Sequence, residues 1–106
     1  MLNDPTFVEA ARALAQRVFG AGDRHARVGA AFARVVGRDP DTRELEILAS
    51  ILDRQREAFA ADPGSAERFV AIGESARDAS IDPVEHAALA STCLAILNLD
   101  EAVVHE

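Results

Sequence analysis

Apolar positions recur along this chain at the three-to-four-residue spacing of a helix, and strict apolar/polar alternation never lasts. Phe7, Ala11, Leu14 and Val18 set a first stripe, widened by Val8, Ala15 and Phe19. Asp4-Pro5 starts it, because aspartate accepts the free N–H groups of a first turn and proline suits the first helical position. Gly20-Ala21-Gly22 ends it. A second helix is predicted over 23–36, with Val28, Ala31, Phe32 and Val35 inward. Gly37 closes it, and Asp39-Pro40 blocks its continuation. A third begins with Thr42 as N-cap and Glu44 in its first turn, and runs to Asp62-Pro63. Leu45, Leu48, Ala49 and Leu52 form its apolar face, joined by Ile51 and Phe59. A fourth is predicted over 63–79, carried by Phe69, Val70 and Ile72, with 75–80 as an alternative loop. The fifth starts at Asp82-Pro83 and is apolar almost all round over 87–97, which predicts the central, most buried helix. Asn98 is expected to end it, or to break it before a last turn at 100–105.

These elements predict an all-α fold, a compact bundle of four to five short helices with an apolar C-terminal central helix. The chain has 106 residues, the size of one domain, so 1–106 is read as a single helical domain. Short connections favour antiparallel neighbours. Apolar residues at 49% and charged residues at 27% are ordinary for a folded domain.

Charge narrows the function. Eleven Lys and Arg stand against 18 Asp and Glu, a formal charge of −7. A nucleic-acid-binding module needs a basic face, so no nucleic-acid partner is expected. No apolar run approaches the roughly 20 residues that span a bilayer, so no membrane insertion is expected. The chain carries no signal-peptide pattern, phosphate-binding loop, dinucleotide fingerprint, zincin helix or haem-attachment motif. No cofactor is predicted.

Few residues carry candidate chemistry. Asp82, Glu85 and His86 are spaced so that a metal could meet them, but Asp82 reads better as an N-cap and Glu85 as a first-turn acid. Glu101 and His105 read as a surface pair, and His25 as solvent-exposed. Cys93, in the apolar fifth helix with no cationic neighbour in sequence, reads as a small core residue rather than a nucleophile. Arg24, Arg27, Arg34 and Arg38 make the second helix the most basic element, expected to pair with carboxylates of helices three and five. Leu2, Phe7, Val8 and Phe19 exceed what one narrow stripe needs, which predicts an apolar docking surface on helix one.

Three stretches carry a resemblance together. They are the opening Leu2-Asn3-Asp4-Pro5-Thr6-Phe7-Val8-Glu9-Ala10-Ala11, the corner Val36-Gly37-Arg38-Asp39-Pro40-Asp41-Thr42-Arg43-Glu44-Leu45, and the close Ala95-Ile96-Leu97-Asn98-Leu99-Asp100-Glu101-Ala102. In this order the chain resembles the C-terminal part of the planctomycete domain of unknown function 1553. Ala102 stands where that family commonly has an aromatic. The resemblance implies that the chain is a C-terminal fragment of a larger multidomain protein. Many such proteins carry a c-type cytochrome module, which implies an extracytoplasmic parent. It implies no catalytic residue. Physically, the motif residues read as corner-holders. Asp4 and Pro5 start a helix, Gly37, Pro40 and Thr42 turn the chain, and Asn98 closes helix five. Arg38 would bond the last carbonyls of helix two or pair with Asp100 or Glu101.

The function this favours is a non-catalytic packing or interaction module that docks on upstream domains of its parent or on a second copy. Two alternatives stay open. One is part of an enzyme whose site the upstream region completes, marked by a cleft joining His86, Glu85 and Arg38. The other is a free-standing acidic interaction domain.

Overall fold

Aspartate starts every helix. In the computed structural model, which describes residues 4–73 and 76–104, α1 (Pro5–Val18) is capped by Asp4 and α2 (Arg24–Val36) by Asp23. Asp41 caps α3 (Thr42–Ala61), and Asp62 caps α4 (Pro63–Val70). For α5 (Pro83–Val104), the Asp82 carboxylate accepts the N–H groups of Val84 and Glu85 at 3.0 and 3.1 Å. Each cap satisfies donors that a first turn leaves open. A short 3-10 turn, Phe19–Ala21, links α1 to α2. Among the described residues there is no strand, and no helix is long and apolar enough to cross a membrane.

The fold is the expected all-α bundle, and α5 is its axis: α1, α2, α3 and α4 all pack against it. His86, Ala87, Ala88, Leu89 and Ala90 are consecutive and all buried, as only a helix covered on every side can be. The alanines hold little volume, so neighbouring backbones approach closely. Val8, Ala11, Ala15 and Val18 of α1, Val28, Ala31 and Phe32 of α2, and Leu48 and Leu52 of α3 close one core with Leu89, Cys93, Leu94 and Ile96. Ala66 and Val70 of α4 pack with Ala87 as a satellite, beside the Phe59–Phe69 ring pair. The radius of gyration, 12.8 Å, matches the roughly 13 Å of a compact chain of this length.

Five expectations need correction. Asp41, not Thr42, caps α3. Its carboxylate accepts the Glu44 N–H at 2.8 Å while the Glu44 carboxylate accepts the Asp41 N–H at 2.9 Å, a reciprocal capping box. Helix α4 stops at Val70 rather than reaching 79. Gly73 adopts φ +95°, and a Cβ there would lie 2.7 Å from the Glu9 side chain, so the chain turns out of helix against α1. Asn98 neither ends nor breaks α5. Its side chain donates to the Leu94 carbonyl at 2.8 Å, one turn back, and the helix continues to Val104.

The predicted docking face on α1 is also different. Val8 is core, 3% exposed. Phe7 is half-buried against the core, and Phe19 is half-buried beneath the Arg27 guanidinium, 3.7 Å from the ring centroid. Leu2 lies outside the described residues. The stripe of α1 is turned toward Val8, Ala11, Ala15 and Val18, and it carries Arg12 inward with it. Arg38, finally, reaches Glu44 and the Asp39 carbonyl rather than α2's last carbonyls or Asp100; the side chain of Glu101, its other expected partner, lies outside the described residues.

Burial along α5 predicts a contrast between two residues of one type. Leu89→Ala should cost about 2–5 kcal/mol in urea denaturation, because it opens a cavity in the core. Leu99→Ala, at a site 56% exposed, should stay within about 0.5 kcal/mol. Equal losses would contradict the placement of α5.

Candidate functional site

The corner between α2 and α3 builds one wall of a surface groove. Gly37 takes the left-handed conformation, φ +88°, and its N–H closes α2 on the Ala33 carbonyl. That turn frees Arg38 to reach forward. Its guanidinium donates through Nη1 to Glu44 Oε1 at 2.9 Å and through Nη2 to Oε2 at 2.8 Å, a two-pronged pair. Nη1 also reaches the Asp39 carbonyl, and the guanidinium lies over the Phe32 ring at 5.1 Å. Pro40 packs back over Gly29 of α2. Glu44 therefore serves the capping box and the clamp together. The Arg38 hydrogen bonds, then the Asp41 N–H, hold its carboxyl down at about 2. Arg38 is pushed up in turn by the same hydrogen bonds.

The far wall comes from the end of α5. A groove of about 400 Å³ is lined by Phe32, Val36, Arg38, Glu44, Leu99 and Asp100. A shallower apolar hollow of about 130 Å³ continues it past Ile47 and Leu48. Ile47 and Leu99 are 51% and 56% exposed, the exposed large hydrophobics among the described residues, and both border this groove. The corner motif and the closing motif, 60 residues apart in sequence between Arg38 and Asn98, thus meet on one surface. Asp100 stands on its rim, while the side chain of Glu101 lies outside the described residues.

The metal-like trio does not converge. Asp82 is the α5 cap. Glu85 pairs with Arg56 of α3, Nε to Oε2 2.9 Å. His86 points inward, wholly buried, with Nε2 3.2 Å from the Arg12 carbonyl. Among the described residues, no group of three or more ligating side chains could hold a metal. His86 and Leu99 are 13 positions apart on α5, about 20 Å of helix, so His86, Glu85 and Arg38 share no cleft. His25 is half-buried beside Glu46 at 3.2 Å. Arg24 reaches Asp53 of α3 at 3.6 Å. Burial pushes the Cys93 thiol up to about 12, which removes it as a nucleophile near neutral pH.

The residue that sequence reasoning missed is Arg12. It is 1% exposed and donates to the Val70 carbonyl at 2.7 Å, placing a cation at the C-terminal end of α4. The signal was present: Arg12 sits four residues after Val8 and three before Ala15, on the buried face.

The fold and groove thus define a helical bundle with an apolar surface recess and, among the described residues, no assembled catalytic cluster. Residues 1–52 match the family described as Protein of unknown function (DUF1553), consistent with a domain of that family. The match holds the opening motif, α1, α2, the Arg38–Glu44 corner and about half of α3; the closing motif lies beyond it. No curated protein and no solved structure matches the chain.

Two results follow from the site. The Glu44 carboxyl is depressed by its partners, so the clamp persists above its ordinary range and is lost only as pH falls through about 2. In a carbon-detected NMR titration its midpoint should lie near about 2, and Arg38→Ala should move it toward the ordinary 4.5. A wild-type midpoint at 4.5 would break the assignment. Cys93 should react with a thiol reagent only at the rate of unfolding; prompt labelling of the native chain at pH 8 would contradict its burial.

Proposed function

We propose that this chain is a non-catalytic helical packing module, the C-terminal part of a larger extracytoplasmic protein, that docks its groove on the preceding portion of its parent. One observation carries the reading. Among the described residues, the exposed large hydrophobics Ile47 and Leu99 line one apolar hollow, and Leu99 also lines the adjoining groove built from the corner and closing motifs. Patches of this kind, apolar inside and polar at the rim, suit protein contacts. Arg38 and Glu44 are paired with each other, so covering the rim would leave neither charge without a partner. The resemblance to a family whose domain is expected to extend upstream supports the preceding portion as the occupant.

The test is to recover the reading frame, produce the preceding segment and titrate it with this chain. Ile47→Gln with Leu99→Gln should weaken binding at least tenfold and leave the circular dichroism spectrum unchanged. A reading frame that starts at Met1 would overturn the proposal, and so would equal affinity of the two chains. Light scattering from about 10 to 300 μM separates the other occupant: a groove-dependent dimer would assign the recess to a second copy.

A further inference from the structure

A histidine sits where a positive charge has no place to go. His86 is fully buried at the seam between the first turns of α5 and the middle of α1. Its Nε2 lies 3.2 Å from the Arg12 carbonyl, so that nitrogen carries the proton and donates. Its Nδ1 is buried and has no hydrogen-bond partner among the described residues. The neutral ring therefore fits, and the second proton of an imidazolium would meet no acceptor.

The surrounding charges oppose a cation on balance. From α1 comes the Arg12 guanidinium, held at the Val70 carbonyl, with Glu9 one turn earlier packed against Gly73. The segment before α5 brings Arg77 and Asp78. Arg77 is held by Glu67 of α4 at 3.2 Å, and the Asp78 carboxylate is engaged by the Ser80 hydroxyl at 2.6 Å and N–H at 3.0 Å. On α5 itself Asp82 caps the helix and Glu85 is taken by Arg56 of α3. Burial and the two guanidinium groups outweigh the attraction of Asp78 and the bond to the Arg12 carbonyl, and His86 is held below its ordinary range.

We propose that His86 is an acid-sensitive latch: proton uptake by its ring opens the seam that joins the start of α5 to α1 and the end of α4. The sign follows from linkage. A base depressed in the folded chain leaves the unfolded chain as the stronger proton binder, so stability is complete above about pH 6.5 and falls below it. While the folded ring stays neutral, each pH unit below that point lowers the folding constant about tenfold. The seam, rather than the groove at the other end of α5, takes the change.

The experiment is urea denaturation of the full chain at pH 7.5 and 5.5, wild type beside His86→Gln, together with an NMR titration of the wild-type imidazole. The wild type should lose folding constant between the two values, by up to about tenfold, and His86→Gln, whose amide can still donate to the Arg12 carbonyl, should lose less. The His86 ring should titrate below 6.5 in the folded chain. A ring that titrates at 6.5 or above in the folded chain overturns the latch, as does an equal acid loss in both proteins. If His86→Gln does not fold, the wild-type ring titration decides alone.

Discussion

A helix that is apolar on all sides must be covered on all sides, and the placement of every other element follows from that demand on α5. Water would otherwise contact Leu89, Cys93, Leu94 and Ile96. Four amphipathic helices supply the cover, each turning one stripe inward. The small side chains of Ala87, Ala88 and Ala90 then set how close those helices come. What is left over is informative: toward its C-terminal end α5 outruns its cover, and Leu99 emerges beside Ile47 at the groove.

Polar groups are used where the helices begin and where they meet. Five aspartates are spent on N-caps, which explains part of the acidic balance without any acidic function. Arg12 and His86 join α1, α4 and α5 through backbone carbonyls at Val70 and at Arg12 itself. Because both partners are carbonyls held by helices, these bonds depend on the helix positions and reinforce them. Burying such groups is tolerable only while they stay bonded. That makes the α1–α5 seam the part of the core that responds to protonation, whereas the groove end is closed by an exposed ion pair.

The pattern of apolar spacing was enough to read the class of the fold, the starts of α1, α2 and α5, and the central place of α5. Aspartate-proline and glycine signals are local chemistry, so they are legible without tertiary information. Most of the errors have their source in contacts between distant positions. Helix α4 stops because Gly73 must pass Glu9, 64 residues earlier in the chain. The face of α1 is rotated because α4 offers a carbonyl to Arg12. Thr42 and Asp41 are both good caps, but only Asp41 has an acid three residues on, Glu44, to close the box, a local signal the reading passed over. The groove was half legible. Its motifs were visible, but Glu44 was not foreseen as a partner of Arg38, and nothing in the spacing placed Ile47 beside Leu99.

The account rests on α5 being the last element to lose its structure. Native-state hydrogen exchange of the whole chain reads this directly. The amides of residues 87–96 should exchange only through global unfolding, with a free energy equal to that from urea denaturation. If the slowest amides lie instead in α2 and α3, and α5 exchanges through a smaller local opening, α5 is not the axis of the fold and the account fails.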